Sequence, residues 1–158
     1  MGSMRRYLLL AGVVLALGAG AYFLLGQRQA AGGLCARPPA AAAGLTNEGI
    51  TTLRLEDLKE GQGPQAITSN TVRVHYIGRL VDGTEFDSSC RPGRTPFEFT
   101  LGAGQVIPGW DSGLVGMRAG GQRRLFIPAH LAYGERSPSP NIPPNSALIF
   151  DVELLEIR

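Results

Sequence analysis

Between residues 51 and 158 the apolar residues recur at every second position, and this rhythm constrains the fold more than any other feature of the chain. Val72, Val74 and Tyr76 alternate with Arg73, His75 and Ile77, and Leu125 and Ile127 flank Phe126. Leu148, Phe150, Val152 and Leu154 alternate with Ile149, Asp151 and Glu153, while Leu53 and Leu55 flank Arg54. Successive side chains of a strand point to opposite faces, so the pattern predicts half-buried strands, with Asp82-Gly83 and Gly120-Gly121 as turn signals between them. One stretch departs from the period. Ile107, Trp110, Leu114 and Met117 fall at i, i+3, i+7 and i+10, with Pro108 suited to a first helical position and Gly116 close to the end. The expected fold is α+β: an antiparallel sheet with a single short helix laid on one face, built around one core.

The front of the chain is a different object. Met1-Gly2-Ser3 before Met4 reads as an expression-tag remnant, and Arg5-Arg6 precede an uncharged run from Tyr7 to Gly26. A hydrocarbon layer of about 30 Å needs a helix of about 20 residues, so residues 7–26 are long enough for a membrane anchor. A cleavable signal has a shorter apolar region, of roughly 7–15 residues. Ala19-Gly20-Ala21 offers a small-x-small site that keeps the signal reading open, although Tyr22-Phe23-Leu24-Leu25 continues the run past that cut. The arginines before the run predict a cytoplasmic N-terminus and export of the rest. Residues 27–50 are rich in Ala, Gly and Pro without amphipathic period and read as a flexible tether. The expected organisation is therefore 1–26 leader, 27–50 linker and 51–158 folded domain.

Charge follows the same division. Of 15 Lys+Arg and 13 Asp+Glu, four and one respectively precede residue 51, leaving 11 and 12, a net of −1, for the domain. The chain's +2 therefore belongs to its front end. A nucleic-acid binder carries its basic stripe on the domain itself, so that class is disfavoured. The only histidines are His75 and His130 and the only cysteines Cys35 and Cys90, which excludes a Cys/His cluster of zinc-finger spacing. There is neither a Walker loop nor a GxSxG elbow. No metal or cofactor is implied, and the two cysteines allow at most one bridge in an oxidising compartment.

What the domain holds instead is aromatic. Tyr76, Phe86, Phe97, Phe99, Trp110, Phe126, Tyr133 and Phe150 fall in the predicted strands, the helix or adjoining turns. They suit either a plain core or the lining of a concave apolar pocket. The order of motifs around them decides between these. Val74-His75-Tyr76, Gly83-Thr84-Glu85-Phe86-Asp87-Ser88-Ser89, Pro96-Phe97-Glu98-Phe99, Leu101-Gly102 and Gln105-Val106-Ile107-Pro108-Gly109-Trp110 are followed by Ala132-Tyr133-Gly134, Ile142-Pro143-Pro144 and Leu148 to Leu155. Together they closely resemble the FKBP-type peptidyl-prolyl cis-trans isomerases, the immunophilins that bind macrolides such as tacrolimus and rapamycin. The resemblance covers nearly all of residues 51–158 and none of 1–45.

The resemblance implies an antiparallel sheet half-wrapped around the short helix, with a pocket between them. It implies Trp110 as the pocket floor, Phe86, Phe97, Phe99, Val106 and Ile107 as further substrate-binding residues, and Ile142 on the loop over the mouth. Tyr76, Asp87, Tyr133 and Phe150 are the residues it implies for catalysis, Asp87 and Tyr133 supplying polar contacts to the bound carbonyl region. Proline-containing polypeptides are the implied partners, with macrolides as ligands. The chemistry is consistent with the missing catalytic equipment. Rotation about an X-Pro bond is opposed by a barrier of about 18–20 kcal/mol because amide resonance must be broken. Water stabilises the polar planar amide, so a dry aromatic pocket favours the less polar twisted form without a covalent step.

Some residues depart from the family pattern. Cys90 is unusual in its loop, and the extra length of Cys90 to Thr95 leaves the loop arginine as either Arg91 or Arg94. Pro138 and Asn141 replace residues common in the flap. In an oxidising compartment the flexibility of the linker permits a Cys35–Cys90 disulfide pinning the tether to the pocket-side loop, but nothing requires one. The resulting expectation is an extracytoplasmic isomerase assisting protein folding, tethered through residues 7–26 or released if the leader is cleaved. A holdase using the same groove without turnover is the alternative. Fourteen arginines against the single Lys59 suggest a GC-rich genome and a bacterial periplasm.

Overall fold

The computed structural model describes residues 32–158, so the expected anchor or signal at 7–26 lies outside the described residues. Among those residues no helix is long and apolar enough to cross a membrane. Six strands form one sheet: β1 (Arg54–Lys59), β2 (Thr71–Leu80), β3 (Glu85–Ser88), β4 (Phe97–Thr100), β5 (Gln122–Ile127) and β6 (Leu148–Ile157). Their order is β1-β5-β6-β2-β3, with β4 also pairing β2, and every pairing is antiparallel. The register places the future site: Gly78 of β2 stands opposite both Asp87 of β3 and Phe150 of β6. A register shift follows in the β2–β3 pair, between Gly78 and Arg79.

Among the described residues there is one α-helix, α1 (Pro108–Gly113), and it is shorter than the apolar period predicts. Leu114 and Met117 are buried as expected, but both lie past its end, where Gly116 adopts a left-handed φ of 82° and turns the chain away. Pro108 opens the helix, and the Asp111 carboxylate accepts the N–H groups of Gly102 (2.8 Å) and Gly104 (2.9 Å), tying the preceding loop to it. The helix crosses β5 closely enough that a Cβ on Gly109 would sit 2.4 Å from Ile127 Cγ2. Val72, Val74, Leu125, Leu148, Val152 and Leu154 meet it from the sheet and form the main core with Trp110.

The outer face of the sheet departs from the half-buried pattern. Ile149, Asp151 and Glu153 of β6, read as the exposed alternates, are buried as well. The cover is residues 33–50, expected to form a flexible tether, which instead lie on the sheet as a strap. Leu34 is fully buried and its N–H donates to Glu153 Oε2 at 2.7 Å. Ala42, Leu45 and Ile50 pack on Phe126, Ala147 and Ile149, and Asn47 Oδ1 accepts the Ala147 N–H at 3.0 Å. Beneath the strap, Asp151 is fully buried between Arg79 (2.6 Å) and Arg124 (2.6 Å), and Arg124 also donates to the Ala40 carbonyl at 2.6 Å. A buried charge survives only when paired and hydrogen-bonded, and here the strap supplies part of that coordination. A Cys35–Cys90 disulfide, with Cα atoms 5.0 Å apart, fastens the strap to the loop after β3. Closing a loop of 55 residues removes unfolded-state entropy worth about 4 kcal/mol in the chain-entropy account.

Candidate functional site

On the helix side of the sheet lies a cavity of about 210 Å³. Its base is the Trp110 ring, carried on the first turn of α1 and only 4% exposed. Phe150 and Tyr76 meet that ring edge-on, with centroids 5.1 and 5.3 Å away. The geometry follows from register: β2 and β6 are neighbours, and Tyr76, Phe150 and Val152 share the face that the helix covers. Phe86, at the β2–β3 register shift beside Asp87, stands against Phe150 at 5.5 Å, and the two rings leave no room for a side chain at position 78. A Cβ there would lie 2.7 Å from both Phe86 Cζ and Phe150 Cε1. Phe97, Val106 and Ile107 close the opposite wall.

The polar groups are few and specifically placed. Tyr76 OH donates to Asp87 Oδ2 at 2.6 Å, and Arg94 Nη2 donates to Asp87 Oδ1 at 3.2 Å. Arg94 is thus the loop arginine that pairs with the cavity's acid, since Arg91 pairs with Glu85 at 3.1 Å. The loop itself is pinned to β2: Ser89 N–H donates to the Tyr76 carbonyl (3.0 Å) and Tyr76 N–H to Ser89 Oγ (2.9 Å). Burial and the bond to Asp87 push the Tyr76 phenol well above the usual phenol range. Burial, then the Asp87 charge, raises Tyr133 also. Both hydroxyls therefore stay protonated as donors across physiological pH. Tyr133, which follows a 3-10 turn at Ala129–Leu131, has no hydrogen-bond partner for its hydroxyl among the described residues, so it can serve an incoming carbonyl.

Nine of the residues expected at the site line this one cavity: Tyr76, Phe86, Asp87, Phe97, Val106, Ile107, Trp110, Tyr133 and Phe150. Two do not. Phe99 shares a β4 face with Phe97 but sits one step deeper, 4% exposed, stacked behind Phe97 at 5.6 Å and tilted against Trp110. It backs the wall without reaching the cavity. Ile142 is also core, at 5% exposure. Ser137 Oγ donates to its carbonyl (2.7 Å) and its N–H donates to Ser139 O (3.1 Å), a turn that directs the side chain inward. The flap residues Pro138 and Asn141 lie outside the lining too. Gln105, which does line the cavity, was not expected there. Its carboxamide oxygen accepts the Thr100 N–H at 2.8 Å, a loop-bracing role that no periodicity signals.

The lining holds one carboxylate and neither a histidine nor a nucleophilic thiol or serine. It is an apolar socket with two donors and one anchored acid. A model of the FKBP-type peptidyl-prolyl cis-trans isomerases matches residues 63–155, a span that contains every lining residue. The chain belongs to this family.

Among FKBP-type relatives, the FK506-binding protein of Neisseria meningitidis serogroup A is 50% identical over 106 residues, covering 67% of this chain and 96% of that one. FK506-binding protein 4 of Aspergillus fumigatus is 54% identical over 109 residues, 69% of this chain but 22% of that protein. The chain thus spans about a fifth of the length of the fungal relatives it matches. The crystal structure of the FKBP AtFKBP13 superposes with a TM-score of 0.62 at 40% identity, covering 67% of this chain and 93% of that one. The peptidyl-prolyl cis-trans isomerase of Pseudomonas syringae pv. tomato gives 0.59 at 37%, with 66% and 74% covered. The antiparallel sheet with one short helix is the fold shared with them.

Proposed function

We propose that the cavity accelerates cis–trans rotation of X-Pro bonds in polypeptides by desolvating the amide, and that macrolides of the FK506 type occupy the same socket. The carrying observation is the aromatic base and walls around a single acid that is already engaged. A prolyl ring resting on Trp110, between Phe86, Phe97 and Phe150, displaces water from the bond beside it. The planar amide, whose carbonyl oxygen carries the resonance charge, loses more solvation there than the twisted form, so the barrier falls. Tyr133 donates to a neighbouring carbonyl of the substrate and fixes its path. Asp87 moves no proton; it holds Tyr76 and Arg94 and sets the field at the pocket edge. No covalent intermediate is needed.

The wider setting is also a proposal. Export directed by Arg5-Arg6 and the apolar run 7–26 places the domain outside the cytosol, assisting the folding of extracytoplasmic proteins. The activity test is an exchange measurement by NMR on a short X-Pro peptide with the full chain. Acceleration that macrolide abolishes is expected; absence of acceleration with intact macrolide binding would replace turnover by a holding role. Protease accessibility of the domain in intact and permeabilised cells tests the setting, and protection only by the inner membrane refutes it.

A further inference from the structure

On the outer face of the sheet stands a group of side chains that bond rotation does not use. Cys35 comes from the strap, His75 from β2 and Cys90 from the loop after β3, and their ligand atoms all lie within 4.8 Å of one another. Fifty-five residues separate the two cysteines, so the fold, not a local motif, brings them together. His75 leaves β2 on the face opposite to Tyr76, away from the isomerase cavity. Ser89 Oγ engages its Nδ1 at 2.9 Å, which fixes the ring and leaves Nε2 without a hydrogen-bond partner among the described residues. Metal-bound imidazoles are held in this way, one nitrogen anchored to a neighbour and the other presented.

We propose that the dithiol form of the chain binds one thiophilic cation of the zinc class through Cys35 Sγ, Cys90 Sγ and His75 Nε2. The electron balance is explicit. A dithiol or phosphine reductant delivers two electrons and the disulfide takes up two protons, giving two thiols. A divalent cation then displaces both thiol protons and forms two metal–sulfur bonds and one metal–nitrogen bond. Thiolate and imidazole together are the donor set that selects Zn²⁺ or Cu⁺ over hard cations. Metal–sulfur bonds of about 2.3 Å and metal–nitrogen bonds of about 2.0–2.1 Å put two ligands on one ion no more than roughly 4.6 Å apart. The two sulfurs and a ring nitrogen of His75 already lie within 4.8 Å of one another, near that limit.

Charge and access agree with the assignment. Two thiolates neutralise a divalent ion. The nearby guanidiniums do not oppose it, because Arg79 is paired with the buried Asp151 and Arg91 with Glu85. Cys35 is exposed, and a depression lined by Cys35, Pro38, Cys90, Arg91 and Pro92 opens the site to reductant and metal. Its fourth coordination position faces that opening and takes water. The functional consequence is that reduction need not free the strap, since the ion replaces the covalent link between residues 35 and 90.

The test uses the full chain, reduced with a phosphine, desalted without oxygen and titrated with Co²⁺ as the spectroscopic probe. Thiolate-to-cobalt charge-transfer bands saturating at one ion per chain, displaced by Zn²⁺ and missing from the oxidised chain, are expected. His75→Ala should weaken Co²⁺ at least about tenfold, since even outer-shell partners of a metal cost about 10–100-fold. Cys35→Ser should remove most of the charge-transfer intensity, and far-UV circular dichroism confirms that each variant is folded. Reduced wild type without these bands overturns the assignment, as does affinity unchanged in His75→Ala or binding that survives alkylation of both thiols. Isomerase activity measured on the same samples keeps the two readings apart: activity without cobalt bands removes the metal site alone.

Discussion

Gly78→Ala probes the cavity with one carbon atom. The glycine lies mid-strand in β2 outside the left-handed φ region, so alanine fits the backbone there and both flanking strand pairings can remain. The new Cβ would stand 2.7 Å from Phe150 Cε1 and 2.7 Å from Phe86 Cζ, whereas carbon atoms in contact settle at about 3.5–4.0 Å. Both rings must therefore retreat by about 1 Å. They cannot separate freely, because Phe150 also leans on the Trp110 base at 5.1 Å, so the displacement is taken up in a cavity of only about 210 Å³. Overpacking of this kind costs about 1–3 kcal/mol, offset by the roughly 0.5–1 kcal/mol that glycine forfeits inside a strand. The effect on rate is larger, because a misplacement of about 1 Å can cost about a hundredfold. We expect kcat/KM for an X-Pro peptide to fall between about tenfold and a hundredfold, with the melting transition still cooperative. A Gly78→Ala chain that isomerises as the parent does, while its rings are shown to have moved by tryptophan fluorescence, would refute the claim that these two walls set the rate.

Other perturbations separate the acid, the strap and the phenols. Tyr76→Phe deletes the 2.6 Å donor to Asp87; a bond to a charged group is worth about 1.5–3 kcal/mol of stability, and with water able to reach Asp87 the lower end applies, so equilibrium urea unfolding should show a loss of about 1.5 kcal/mol. Asp151→Ala strands Arg79 and Arg124 beneath the strap, and equilibrium urea unfolding should show a loss of about 3–5 kcal/mol while the folded protein keeps its activity. With the Tyr76 and Tyr133 phenols raised in the folded state, their contribution to stability is complete below the unfolded phenol value of about 10 and is lost as pH rises through the folded values. Melting temperature followed from pH 8 upward should therefore decline only beyond about pH 10 on account of these groups, and activity should show no tyrosine ionisation near neutrality.

The strands were legible because they rest on a local pattern, and the aromatic socket was legible only through the ordered motifs that resemble the isomerase family. Period two in β2, β5 and β6 fixed the inner face, and the ordered aromatic motifs supplied the cavity walls. The same period misjudged the helix: Leu114 and Met117 continue a helical spacing after the backbone has turned at Gly116, because spacing records burial rather than conformation. Phe99 and Ile142 show the limit for side chains, as one step along a strand or one hydroxyl-capped turn separates lining from core. The strap was the larger gap. Its Ala, Gly and Pro residues make irregular chain held by single contacts, such as the Leu34 N–H and the Ala40 carbonyl, which leave no period. A signal did exist on the other partner: Phe126 and Ile149 are apolar at positions assigned to solvent, and Asp151 stands among arginines there.

The crosslink between residues 35 and 90 also decides how the domain would carry a pulling force. Tension entering from the N-terminal side at Gly33 passes through the two sulfurs directly into the loop after β3. Residues 36–89, which include the whole of β1 and β2, drop out of the load path. At about 3.3–3.6 Å per extended residue, the 55-residue separation shields about 190 Å of contour length from extension. A stretched oxidised chain is shorter than its reduced counterpart by that amount, and β2, which carries Tyr76, is spared direct load at the end from which the chain is pulled.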